Sequence, residues 1–214
     1  IGRFLRRERH EKNPSLSRKR EGKRCSMAKV LAFFAEGTEE IECLTVVDIL
    51  RRGGVDVDLV SITKNKEVCG SHKIRVICDK TIDDADLDSA ELLFLPGGIP
   101  GVPHLEENQI VIHALKAQKE AGKKLAAICA APSILGHLGF LSDLPFTCYP
   151  GFQEGIDGVE NARWTGRAVE VTKQIITGRG MGVAVDFALA VLEQLEGKEV
   201  AEKIKKGIQH PDTI

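Results

Sequence analysis

The residues best suited to chemistry in this 214-residue chain fall in three short strings. The first is Leu125-Ala126-Ala127-Ile128-Cys129-Ala130-Ala131-Pro132, a strand pattern running straight into a cysteine and then a helix start. Small neighbours allow a sharp turn there. The arrangement is that of a nucleophile elbow, which holds a side chain clear of a sheet in a strained backbone conformation. The N–H groups of the following helix would point at the sulfur and favour thiolate. The Cys129 pKa is therefore expected to be lowered, as in cysteines whose values fall to roughly 3.5–7.5. A buried structural cysteine fits the same Ile-Cys-Ala pattern.

The second is Glu42, which shares a helical stripe with Val46, Ile49 and Gly53, at spacings of four, seven and eleven. A carboxyl on an apolar stripe is desolvated, which raises its pKa and suits it to proton transfer near neutral pH. A helix-end charge set against the dipole is the alternative. The third is Gly97-Gly98, directly after an apolar run. Glycine lets a backbone N–H approach a ligand closely, and such an N–H, paired with that of Ala130, could hold an oxyanion. An ordinary loop turn would look the same. The glycine-rich Gly178-Arg179-Gly180-Met181-Gly182 lacks the Lys-Ser/Thr of a phosphate loop and lies too late for a dinucleotide fingerprint.

The elements that must position these residues alternate. Lys29–Ala35 is a continuous apolar run, the mark of a strand buried on both faces. Thr38 can cap a helix that runs to about Arg52 and stops at Gly53-Gly54. Strands are predicted at Val55–Ile62, around Lys73–Cys78, at Glu91–Leu95 and at Lys124–Ile128. Helices are predicted at His104–Ala121 and Pro132–Leu138. Leu141–Gly166 is rich in turn residues and resists assignment. Ala168–Val171 and Gln174–Thr177 read as a strand pair, followed by helices at Val183–Leu195 and Lys198–Gly207. This alternation implies an α/β fold with a mainly parallel sheet, doubly wound, with helices on both faces. Sites in such sheets form at the C-terminal ends of the strands. Ala35-Glu36-Gly37, Pro96-Gly97-Gly98 and Cys129-Ala130-Ala131 all fall at such ends.

Charge and composition narrow the partners. Residues 1–26 hold 10 Lys+Arg and 3 Asp+Glu, whereas residues 27–214 hold 20 and 28. The acidic body argues against nucleic acid as a partner. No apolar run reaches the roughly 18–20 residues of a membrane span. Residues 1–26 lack hydrophobic periodicity and are expected to be a disordered leader. Residues 27–214 are expected to form one domain. A transit peptide would be poorer in acids than Glu8, Glu11 and Glu21 allow. The six cysteines, Cys25, Cys43, Cys69, Cys78, Cys129 and Cys148, form no C-x-x-C pair, and no histidine stands at zinc-finger spacing from them. Free thiols, a cytoplasmic location and no metal or cofactor are the expectation.

Together, Ala35-Glu36-Gly37-Thr38-Glu39-Glu40-Ile41-Glu42, Leu95-Pro96-Gly97-Gly98 and Ala126-Ala127-Ile128-Cys129-Ala130-Ala131-Pro132 resemble the DJ-1/ThiJ/PfpI superfamily. The likeness is closest to the branch of the Parkinsonism-associated deglycase and its bacterial relatives. It extends through Thr177-Gly178-Arg179-Gly180 and Asp186-Phe187-Ala188, and so covers about residues 28–208. The resemblance implies a flavodoxin-like sandwich that commonly dimerises. It implies Cys129 as nucleophile, Glu42 hydrogen-bonded to its sulfur, and an oxyanion site at the Gly98 and Ala130 N–H groups. Gly97, Tyr149 and Arg179 complete the candidate substrate contacts. Members are assigned removal of early glycation adducts, cofactor-free conversion of methylglyoxal or glyoxal to hydroxy acids, oxidative-stress sensing and chaperoning.

This chain departs from the pattern in three places. Tyr149, in Thr147-Cys148-Tyr149-Pro150, stands where many relatives carry a histidine, and tyrosine is a poor base near pH 7. Ala130 stands where the peptidase branch has a histidine. Cys69-Gly70-Ser71-His72 lacks the arginine of a Cys-Ser-Arg string. The remaining histidines, among them His104, His113 and His137, read as surface or core residues. A cofactor-independent cysteine enzyme acting on small α-oxoaldehydes (glyoxalase III-like) or on their early glycation adducts (deglycase-like) is therefore the leading expectation. A redox-sensing, chaperone-like protein using the same cysteine comes second. An amidotransferase-like or peptidase hydrolase comes third.

Overall fold

The computed structural model describes residues 28–213. The expected leader, residues 1–26, lies outside the described residues. A seven-stranded sheet forms the centre. Its strands are β1 (Lys29–Phe34), β2 (Asp56–Ser61), β5 (Lys80–Thr81), β6 (Leu92–Leu95), β7 (Lys124–Ile128), β10 (Val169–Val171) and β11 (Ile175–Gly178). Their order across the sheet is β10-β11-β7-β6-β1-β2-β5, and every pairing is parallel except β10 with β11. β3 (Glu67–Cys69) and β4 (Arg75–Ile77) form a separate hairpin. β8 (Pro145–Phe146) and β9 (Arg163–Trp164) form a short parallel pair.

The apolar strands feed two cores, as period-two alternation requires. Val30, Ala32 and Phe34 of β1 pack with α1 (Glu40–Arg52), α5 (Ala184–Glu196) and α6 (Lys198–Gly207). Leu31, Phe33 and Ala35 pack against α2 (Gly101–Glu107), α3 (Gln109–Glu120) and α4 (Pro132–His137). The doubly wound architecture is therefore the one expected. The chain leaves β1 towards β2 on one side and returns to β6 on the other, which makes the β1/β6 boundary a topological switch point. The ends of β1 and β6 at this boundary, and of β7 next to β6, lead into the three candidate strings.

Two local expectations are corrected. Thr38 does not cap α1, because its Oγ1 accepts a hydrogen bond from the Ala35 N–H at 2.9 Å. Glu39 is the cap, and its Oε2 accepts from the Glu42 N–H at 2.6 Å. The single helix expected over 104–121 is two helices, broken at Asn108, whose Oδ1 accepts from the N–H groups of Ile110 and Val111. A good N-cap residue starts a new helix here rather than continuing the old one.

Candidate active site

Cys129 sits immediately after β7 with φ at +65°, in the left-handed region. The other described non-glycine residues with positive φ, Lys73, Asp143, Glu160, Asn161 and Gln209, all occupy exposed positions. Cys129 alone adopts it in a partly buried place. Neighbours hold it there: its N–H donates to the Gly178 carbonyl at 2.9 Å, and its carbonyl accepts from the Tyr149 N–H at 2.8 Å. The N–H groups of Ala130 and Gly98 reach its sulfur.

Glu42 is fully buried, on the first turn of α1. Its Oε2 accepts from the Gly97 N–H at 3.0 Å, while its Oε1 has no hydrogen-bond partner within the protein. Gly97 is the wedge between the two functional groups. A Cβ there would stand 2.5 Å from Glu42 Oε2 and 2.6 Å from Cys129 Cβ, so only glycine lets carboxyl and thiol approach. Gly98, at φ +100°, needs glycine for its backbone torsion as well.

Burial pushes the Glu42 carboxyl up to about 7, reinforced by the negative charge of Glu39 and opposed by contacts with Cys129 and the Gly97 N–H. The Cys129 thiol departs from expectation. Burial, and then the adjoining Glu42, raise it well above the usual thiol range, against the lowering effect of the Ala130 and Gly98 N–H groups. The helix start that was to have made it acidic is only six residues long and is outweighed by desolvation. Cys129 and Glu42 are thus coupled: an ionised Glu42 opposes thiolate formation at the sulfur beside it, and a neutral one does not.

The site opens into a cleft of about 500 Å³ lined by Tyr149, Pro150, Arg179, Gly180, Met181 and Val183. A Cβ on Gly180 would lie 4.0 Å from the Cys129 sulfur, so the cleft leads to the thiol. Tyr149 is 52% exposed on its rim. Arg179 is exposed, and its guanidinium donates to the Gly166 carbonyl at 3.0 Å, which turns it along the rim. Every sequence-predicted site residue therefore lies at the thiol or along the cleft beside it. Glu39, Gly180 and Met181 carry no site role in the sequence reading, where they stand only within longer strings. Only Glu39, three residues before Glu42 at a helix start, left a readable signal there.

Among the described residues no histidine lines this cleft. His104 binds the Glu36 carbonyl, His137 faces Glu106, and His113 is exposed. His72, in place of the arginine, stacks its contacts on Glu40: its N–H donates to Oε1 at 2.8 Å and its Nδ1 lies 3.2 Å from Oε2.

A family model described as the DJ-1/PfpI family matches residues 28–194. The chain belongs to the DJ-1/PfpI family. It is 36% identical over 180 residues to "Protein DJ-1 homolog B" of Arabidopsis thaliana, a match covering 84% of this chain. The chain spans less than half the length of that relative, 41%. It is 30% identical over 171 residues to "Glutathione-independent glyoxalase DJR-1.2" of Caenorhabditis elegans, covering 80% of this chain and 90% of that one. Among solved structures, oxidized Toxoplasma gondii DJ-1 superposes with a TM-score of 0.81 at 33% identity, covering 85% of this chain and 98% of its own. DJ-1/PfpI membership accounts for the mostly parallel sheet and for the strings at its strand ends. Among the described residues no helix is long and apolar enough to cross a membrane.

Proposed function

We propose that this protein is a cofactor-independent cysteine enzyme that converts small α-oxoaldehydes to hydroxy acids, or removes their early adducts. The observation that carries the reading is the buried Glu42 carboxyl, balanced near pH 7 and wedged by Gly97 against the strained Cys129. The relative named a glutathione-independent glyoxalase supports the same chemistry.

In the first step the Cys129 sulfur adds to the aldehyde carbon while Glu42 holds the proton. The Gly98 and Ala130 N–H groups receive the charge on the hemithioacetal oxygen. Glu42, ionised once it has given its proton to that adduct, then removes the hydrogen from the former aldehyde carbon. It returns that proton to the adjacent carbon, and the hemithioacetal hydroxyl proton passes to the neighbouring carbonyl oxygen, leaving a thioester of the 2-hydroxy acid. Water hydrolyses the thioester, releases lactate from methylglyoxal or glycolate from glyoxal, and restores the thiol. The overall change adds one water and needs no external oxidant or reductant. The unpartnered Glu42 Oε1 is an acceptor that a substrate hydroxyl satisfies.

Incubation of purified protein with methylglyoxal, without glutathione, is the test. Lactate should form, and Cys129→Ser should abolish it. If no lactate forms while hydrogen peroxide converts Cys129 cleanly to the sulfinic acid, the redox-sensing reading takes over, with protonated Glu42 donating to the product. The cleft's want of a histidine counts against peptidase and amidotransferase chemistry. No nucleic acid or membrane partner enters the reading, and a cytoplasmic location belongs with it. A second copy of the chain is the partner: Ile41, Leu44 and Ile74 stand exposed around a groove of about 1040 Å³ along α1. Sedimentation should give a dimer that Ile41→Glu dissociates.

A further inference from the structure

We propose that Glu39 is a positioning residue for this chemistry: its carboxylate fixes the start of α1 and sets a negative charge beside Glu42, so that Glu42 acts as an acid towards Cys129. The inference rests on the function proposed above.

The geometry is half of a capping box. In the full motif the N-cap side chain accepts from the N–H three residues on, and that residue's carboxyl returns to the N-cap N–H. Here Glu39 Oε2 accepts from the Glu42 N–H at 2.6 Å. The return half is diverted. The Glu39 N–H donates instead to the Gly97 carbonyl at 2.9 Å, and Glu42 Oε2 takes the Gly97 N–H at 3.0 Å. One residue of the site loop, Gly97, thus replaces both missing partners through its N–H and its carbonyl, and frees the Glu42 carboxyl to face the thiol.

A glutamate is an unusual choice for this cap. Ser, Thr, Asp and Asn do the structural work best, and Thr38 stands one residue away but is bound to Ala35. What glutamate adds is an ionised group at the edge of the buried site, with only 9% of Glu39 exposed. After burial itself, the Glu39 charge is what holds the proton on Glu42. Since one proton is shared between carboxyl and thiol, repelling charge from Glu42 moves it onto the sulfur, where the Gly98 and Ala130 N–H groups receive it.

The groups facing this pair are few. Cys43, on α1 itself, is kept neutral by complete burial. Glu40 and His72 lie with Glu39 in one cluster, their ligand atoms within 4.8 Å of one another. Against the cost of burial, N–H donors from His72 and Ile74 keep Glu40 ionised. It therefore adds to the negative field beside Glu42.

The test is Glu39→Gln, which keeps the size and a cap acceptor but removes the charge. Read-outs are the pH profile of Cys129 alkylation by iodoacetamide and the melting temperature. The melting temperature should change little. The acid limb should move about one unit lower and the alkaline plateau fall about tenfold, both following from a one-unit loss of proton affinity at Glu42. Glu39→Asp, which keeps the charge, should restore limb and plateau. Superimposable wild-type and Glu39→Gln profiles would overturn the proposal. So would a Glu39→Asp variant that behaves like Glu39→Gln, because then length rather than charge matters. Alkylation is read on the thiol itself, so a protein that makes no lactate fails the function above and leaves this test intact.

Discussion

Glu42→Gln should separate stability from activity, and the structure fixes the sign of both. The Glu42 carboxyl prefers its proton in the fold, up to about pH 7, against an ordinary value of 4.5. A carboxyl with a raised folded pKa is neutral, and costs nothing extra, below the unfolded value. As pH rises from 4.5 through about 7 the unfolded chain ionises more readily, and native stability falls. The gap, at about 1.4 kcal/mol for each tenfold step in proton affinity, amounts to about 3 kcal/mol by pH 8. Glutamine cannot ionise, and its oxygen still accepts from the Gly97 N–H. Denaturant unfolding at pH 8 should therefore show the variant more stable than the parent by up to about 3 kcal/mol. The two curves should converge near pH 4.5. Methylglyoxal turnover should fall at least about 10²-fold, the lower range for loss of a general acid–base group. Tyr149→Phe should cost far less, because the structure ties that residue to Cys129 through its backbone N–H. A Glu42→Gln protein that keeps full turnover, or gains no stability at alkaline pH, would show that the carboxyl is neither the proton carrier nor desolvated.

The remaining expectations concern single residues. Limited iodoacetamide labelling at pH 7.5, mapped by mass spectrometry, should modify Cys129 before Cys43, Cys78 or Cys148, because those three are buried from the reagent while Cys129 is partly exposed beside the cleft; Cys69 labelling first would refute the elbow assignment. Gly97→Ala forces a methyl between Glu42 and Cys129, so thermal unfolding should record a loss of about 1–3 kcal/mol and lactate formation should drop at least about 10²-fold. Asn108→Ala removes the cap of α3, far from the thiol, and should cost about 1 kcal/mol with kcat unchanged.

The sheet was legible because its strands are buried on both faces and read as unbroken apolar runs: Lys124–Ile128 is identical in sequence pattern and structure. Cys129, Glu42, Gly97 and Gly98 were legible because strand ends and helix stripes place side chains by spacing alone. What was hidden depends on partners distant in the chain. The β8/β9 pair joins two dipeptides eighteen residues apart, too short for any period to show. The lowered thiol pKa was inferred from a helix start, a local feature, while the raised value comes from burial against a residue 87 positions earlier, which no window of sequence displays. Thr38 looked like the cap because its type is the usual one; only the fold reveals that its hydroxyl is occupied by Ala35.

The left-handed torsion at Cys129 also bears on how this chain can change over time. For a residue carrying a Cβ, that torsion costs about 1–2 kcal/mol, whereas glycine occupies it freely. Selection for robustness alone would therefore drift this position towards glycine, and only selection for the thiol opposes it. Position 129 becomes a marker of use: in a lineage that retired the chemistry, it should be among the first site residues to relax, well before Gly97 or Gly98, whose replacement the packing itself forbids. A stability-guided library built on this chain would discard Cys129 for the same reason.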